Sequence, residues 1–257
     1  MVQYFVLPVV GFFVGMIIIS IGGGGGAIYV GILTAFLNIP PAVAASTSLA
    51  TTIPTTAAGT FSHWKAGNVN PHLGLIMLAG GVAGSVGGSL CSGLLPQSMY
   101  NKLTGIILVF LSVQMLISNI GRKNGNRREP GSRSIGNTDK VKAVLFGLLG
   151  GAMSGLIGLS GGGPIVAGLM ILGCSALETV GTSVMVLLGI AATGFAAHLG
   201  IGNIDWKLVG LLASGTICGA FAGPFFLKHI DKEKLERVLG PLLFIMNAVM
   251  GTMLILK

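Results

Sequence analysis

The residues able to do chemistry in this chain are few, and nearly all are neutral. Two glycine-rich stretches lead: "SIGGGGGAI" at Ser20–Ile28 and "GLSGGGPI" at Gly158–Ile165. Five glycines in a row break a helix, because each costs about 1 kcal/mol against alanine in a helix interior. A helix restarting after such a break turns free N–H groups and a partial positive charge toward whatever lies in front of it. One restart is expected near Gly26. A second is expected near Pro164, since proline suits the first helical position. Two such ends facing each other make an anion site. Its candidate backbone is Gly23, Gly24, Gly25 and Gly26 with Ser160, Gly161, Gly162 and Gly163. Close packing is the other use of small residues, and the four-residue spacing of Gly80, Gly84 and Gly88 points to it.

Hydroxyls supply the side-chain chemistry. Thr47 and Ser48 stand among Ser46, Thr51 and Thr52 near the start of one apolar stretch, and Thr182 and Ser183 stand in a matching place later. A hydroxyl can donate to an oxyanion, or it can bond back to its own helix carbonyls. His63 and His198 are candidate proton carriers, although a histidine at a helix end ordinarily rests among lipid headgroups. "Gly158-Leu159-Ser160-Gly161" also has the GxSG shape of an intramembrane serine protease, with His198 as the base. No Lys, Arg, Asp or Glu falls well inside an apolar stretch. An ionised ligand would therefore be held by neutral dipoles, which suits weak, reversible binding.

The elements that position these groups are membrane helices. The chain is 52% hydrophobic and 9% charged over 257 residues, with a mean hydropathy of +0.88. Soluble domains carry about a quarter charged residues. The fold class is an all-α integral membrane protein. Cys91, Cys174 and Cys218 lie in apolar runs without metal-ligand spacing and are expected to be small buried residues. Neither a metal nor a cofactor is expected. Met1 is followed by no basic segment, and the first basic residue is Lys65, so no cleaved leader is expected.

One hydrophilic segment, 121–142, divides the chain. The residues on either side repeat. A shift of 135 positions carries His63 onto His198, Gly67 onto Gly202, Asn68 onto Asn203 and Thr47-Ser48 onto Thr182-Ser183. It also carries Gly80, Gly84 and Gly88 onto Gly215, Gly219 and Gly223. A further gap of two aligns "GGAIYVG" with "GGPIVAG", and sets Gly23 against Ser160. A serine–histidine pair is therefore not built into the duplication, which counts against the protease. The domains are 1–120, a basic linker 121–142, and 143–257. Each half opens with a glycine-broken stretch, 5–37 or 143–173, that is either re-entrant or a pair of short helices. Three transmembrane helices follow: 41–61, 72–94 and 99–119, then 177–197, 207–227 and 236–256.

Charge orients the halves. If each broken stretch adds an even number of crossings, the second half is inverted, and with 121–142 in the cytoplasm twelve Lys and Arg lie inside against three outside. Parallel halves would give ten against five. The positive-inside rule selects inversion, with both termini outside. The formal net charge of +8 is thereby explained without nucleic acid.

With its glycine-broken stretches "GGGGGAIYV" and "SGGGPIVAG", the Thr-Ser pairs of "AASTSLAT" and "TVGTSVMV", and the helix ends "HWKAGNV" and "HLGIGNI", the chain resembles the TauE/SafE sulfite-exporter family. The resemblance covers everything outside 121–142. It implies an exporter in the cell (inner) membrane for a small sulfur-containing anion such as sulfite or an organosulfonate. The residues carried over are the two glycine turns with Thr47-Ser48 and Thr182-Ser183. The partners implied are that anion and the bilayer, with a homodimer as a candidate assembly. A passive anion channel on the same inverted repeat is the alternative.

Overall fold

A computed structural model describes residues 2–122, 136–199 and 204–227, together with 245, 248–249 and 251–256. The described residues are helical, with no strand among them. The expected stretch 5–37 divides into α1 (Val2–Ile21), α2 (Gly26–Gly31) and a π-helical continuation over Ile32–Phe36. The three helices that follow are α3 (Pro41–Lys65), α4 (Pro71–Ser92) and α5 (Gln97–Arg122). Next come α6 (Asn137–Ile157), α7 (Gly162–Ile171), α8 (Ala176–His198) and α9 (Trp206–Leu227). The expected helix 236–256 lies largely outside the described residues.

Local chemistry sets these boundaries. Pro41 and Pro71 open α3 and α4, and the Asn70 side chain caps α4 by accepting from Leu73 N at 3.1 Å. Ser175 and Glu178 cap α8 reciprocally. Two expectations shift. The linker 121–142 is shorter than composition implied, because α6 already starts at Asn137, where the Asp139 carboxylate accepts from Gly136 N at 3.3 Å. Pro164 is the third residue of α7, which starts at Gly162. Its missing N–H still falls among those that no helical carbonyl could reach.

Within the described residues, Pro71–Ser92, Asn137–Ile157 and Leu177–His198 are long and apolar enough to cross a membrane. α7, with 10 residues, is about 15 Å long, half of a crossing. It folds back on α6: Gly150 lies against Gly161 and Ile165, and Phe146 against Gly168. The second broken stretch is thus a helical hairpin, with α7 packed back along α6.

Glycine decides which helices touch. A Cβ on Gly80 or Gly84 would overlap the carbonyl oxygen of Val144 or Leu148, and one on Gly88 would fall 2.5 Å from that of Ala152. Gly147, Gly151 and Gly155 return the arrangement against Met77, Gly81 and Ser85. α4 and α6 therefore run parallel with their backbones in contact. α1 and α9 do the same through Gly11, Gly15, Gly215 and Gly219. α4 also runs parallel to α8, with Asn70 beside Thr182 and Ser92 beside His198. α3 runs antiparallel to α8, because Leu49 meets Gly194 while His63 and Asn68 meet Gly181. Leu90, Phe110, Leu145 and Phe221 cover the outer faces, as lipid contact requires.

Two of the three cysteines depart from expectation. Cys91 and Cys218 lie on the protein surface, and only Cys174 is partly buried. An apolar run in a membrane helix marks the face turned to lipid as well as the face turned to protein, so hydropathy could not separate the two.

Candidate functional site

The two breaks meet. α1 ends at Ile21 and the chain turns through Gly22, Gly24 and Gly25, with φ of 75°, 69° and 73°, into α2. α6 ends at Ile157 and turns through Gly158, Ser160 and Gly161, with φ of 71°, 59° and 67°, into α7. Gly25 and Gly161 precede their helices in the left-handed region, where a Cβ is disfavoured by about 1–2 kcal/mol. Ser160 bears that strain without being glycine. Its Oγ accepts from Gly26 N at 3.2 Å and donates to the Gly23 carbonyl at 3.1 Å.

The backbones interlock around this serine. A Cβ on Gly26 would fall 2.6 Å from the Gly158 carbonyl oxygen and 2.7 Å from Ser160 N. A Cβ on Gly162 would overlap the Gly23 carbonyl oxygen. Gly24, Gly25, Gly26, Gly161 and Gly162 are buried, while Gly23 and Gly163 are half-buried. A Cβ on Gly23 would meet nothing within 4 Å.

Two serines tie the turns to the long helices. Ser48 of α3 donates to the Gly158 carbonyl at 2.9 Å, with the Gly26 carbonyl at 3.3 Å. Ser183 of α8 reaches the Gly22 carbonyl at 2.9 Å. Ser48 is the eighth residue of α3, about 11 Å along it, so the meeting point is well inside the bundle. Thr52 joins more loosely, 3.4 Å from the Gly24 carbonyl, and bonds more closely to its own helix at Ser48 O, 2.8 Å away.

The other candidates are placed elsewhere or engaged differently. Thr47 is buried, and its hydroxyl has no hydrogen-bond partner. The Thr182 hydroxyl accepts from Asn70 N at 2.9 Å and serves the α3–α4 connection. Asn70 adds a bond from its Nδ2 to Glu178 at 2.8 Å, a clamp that no local pattern announced. Ser46, Thr51, Thr55 and Thr56 bond back to carbonyls one turn earlier. His63 is half-buried in the last turn of α3. His198 is 2% exposed rather than set at a headgroup surface. Its ring nitrogens face the Gly194 carbonyl and Ser92 Oγ. No three His, Cys, Asp or Glu residues are grouped to hold a metal among the described residues.

An all-helical membrane protein whose broken helices meet inside the bundle has the architecture of a transporter. The family described as "Sulfite exporter TauE/SafE" matches residues 7–250. The chain belongs to that family. It is similar to the probable membrane transporter protein YdhB of Bacillus subtilis (strain 168), at 30% identity over 95% of this chain and 97% of the other. It is also similar to the probable membrane transporter protein YunE of the same organism, at 24% identity over 98% and 97%. No solved structure matches the chain.

Proposed function

We propose that this protein exports a small sulfur-containing anion, sulfite or an organosulfonate, across the cell membrane, and that the anion binds where the two turns meet. One observation carries the reading: two backbone turns with positive φ interlock around a hydroxyl deep in the bundle, and the hydrogen bonds that join them to each other and to the long helices come from hydroxyls and backbone groups. Gly26 N points at Ser160 Oγ. An oxyanion oxygen would take the place of that hydroxyl, and the first N–H groups of α7 would face it. Ser160 then acts as an internal occupant that the substrate displaces.

The halves form an inverted repeat on this reading. Supporting it, the matched helices α3 and α8 run antiparallel, and the close pairs α4–α6 and α1–α9 exchange under the repeat. Ser48 and Ser183, matched residues, each hold the opposite half's turn. The proposed topology puts 121–142 in the cytoplasm and both termini outside. A passive anion channel uses the same site without coupling. Proteolysis is disfavoured, because Ser160 is bonded to turn backbone while His198 faces other partners.

Proteoliposomes holding the purified protein test the proposal with sulfite, sulfoacetate, sulfate and thiolates, with and without a pH gradient. Saturable flux of one sulfur anion is expected. Equal leakage of all of them would favour the channel, and flux of none would overturn the reading.

A further inference from the structure

One polar seam lies beyond the two turns. On α4, Ser85, Ser89 and Ser92 recur along the face toward α8, all buried. Ser85 donates to the Ile190 carbonyl at 3.1 Å, and Ser92 to the Ser89 carbonyl at 2.7 Å. Ser89 Oγ is fully buried without a hydrogen-bond partner. His198 closes the seam.

The proton positions on His198 follow from its neighbours. Nδ1 lies 2.9 Å from the Gly194 carbonyl oxygen. A carbonyl only accepts, so Nδ1 carries hydrogen. Nε2 of the neutral ring is then a bare lone pair. It lies 3.5 Å from Ser92 Oγ, whose single proton is already directed to the nearer Ser89 carbonyl. Lone pairs face each other across that gap. A second proton on the ring completes a chain in which Nε2–H donates to Ser92 Oγ and Ser92 O–H donates to Ser89 O.

The backbone field acts in the same direction. α4 and α8 are parallel and both end here, since Ser92 and His198 are their last residues. Two helix C-termini put partial negative charge beside the ring, which offsets part of the cost of charging a buried imidazole. Among the described residues, the packed elements bring few opposing groups. On α4, Cys91 is exposed, and His72 is at the far end, as Glu178 is on α8. Residues 41–52 of α3 and 147–157 of α6 contain no titratable side chain. α5 brings Tyr100, whose hydroxyl donates to the Leu156 carbonyl, and exposed Lys102. In the connection to α9, the Asp205 carboxylate accepts from Lys207 N and Leu208 N, and the Lys207 side chain is exposed. Residues 200–203 contain no titratable group.

We infer that His198 is a reversible proton-binding site, with Ser92 as its acceptor, and that the proton bound there accompanies anion passage. The coupling rests on the transport reading; the proton site does not. Gly194, the residue whose carbonyl holds the ring, packs against Leu49, next to Ser48 on α3. Ring protonation and the Ser48 hold on Gly158 thereby share one helix contact.

Histidine-labelled protein in lipid nanodiscs, followed by nitrogen NMR from about pH 4.5 to 8.5, tests the site without substrate. The Nε2 signal of His198 should move with pH while Nδ1 stays protonated. His198→Asn assigns the signal, and should that variant not fold, the triple variant His63→Asn, His72→Asn and His229→Asn leaves His198 alone. Ser92→Ala should weaken proton binding about tenfold, moving the midpoint about one pH unit lower. An Nε2 signal that does not titrate, or an unchanged midpoint in Ser92→Ala, overturns the site. In liposomes, His198→Gln should lower sulfite flux and abolish its pH dependence, and a pH dependence like that of the unmodified protein overturns the coupling. Absence of flux in the unmodified protein overturns coupling and transport together, and the titration tells that outcome apart from failure of the site.

Discussion

Ser48 donates its hydroxyl proton to the carbonyl oxygen of Gly158, 110 residues further along the chain, at 2.9 Å. Its matched residue Ser183 reaches back to Gly22, 161 residues away, at the same distance. Each half's long helix therefore holds the other half's turn. Removing either hydroxyl leaves a buried carbonyl less well satisfied, at about 1 kcal/mol. Ser48→Ala and Ser183→Ala should each lower the melting temperature in detergent by a few degrees, and the double variant by the sum. Melts indistinguishable from the parent would show that the two bonds do not join the halves.

The glycines of the turns should respond unequally to one added methyl group. Gly23→Ala should fold normally, since its Cβ enters open space, whereas Gly162→Ala would press on the Gly23 carbonyl. Gly162→Ala should lose several degrees of melting temperature and its sulfite binding together. Gly162→Asp should bind sulfite more weakly than Gly162→Asn, because it adds negative charge at the proposed anion site. Calorimetry with a parallel melt reads both effects, and equal behaviour of Gly23→Ala and Gly162→Ala would put the site elsewhere.

The packing stripe offers an internal contrast. Gly84→Ala and Gly151→Ala would push the α4 and α6 backbones apart, so yield and melting temperature should fall. Gly87, on the same helix, is exposed and a Cβ there meets nothing within 4 Å. Gly87→Ala should be neutral or slightly stabilising through helix propensity. Comparable losses at Gly84 and Gly87 would contradict the contact.

Cys174 lies in the connection between α7 and α8, and burial, with the Glu178 carboxylate beside it, pushes its thiol up to about 12. The reactive thiolate is the deprotonated form. In a protein with Cys91 and Cys218 replaced by alanine, alkylation of Cys174 should be slow at neutral pH and rise about tenfold per pH unit through the alkaline range. Glu178→Gln should accelerate it at fixed pH by removing the opposing charge. Mass spectrometry of maleimide adducts reads the rate, and a rate independent of pH between neutral and pH 10 would refute the assignment.

Topology gives the last test. Cysteines introduced at Gly67 and at residue 130 in a cysteine-free protein should be protected from an impermeant reagent in intact cells, and cysteines at residue 3 and Gly93 should be labelled. Labelling at 130, or opposite behaviour of Gly67 and 130, would sink the inverted arrangement.

The sequence determined the elements because their causes are local. Hydropathy set the spans, Pro41 and Pro71 opened helices, and the glycine runs broken after Ile21 and Ile157 ended them. Belonging to the family was legible in the glycine and Thr-Ser motifs of the two halves. The partners were not legible, because each is a long-range contact that no short window encodes. Glycine spacing announced that α4 could approach a backbone closely, and only the packed bundle made that backbone α6. A serine in a GxSG string has a nucleophile's reading beside the ligand donor's, although the repeat already counted against the first, and tertiary structure set it between Gly26 N and Gly23 O. Thr182 and Ser183 looked alike in the chain. One helical step of about 100° turned the first toward Asn70 and the second toward Gly22. His198 followed the same logic: hydropathy located it at a helix end, and the parallel arrival of α4 buried it against Ser92.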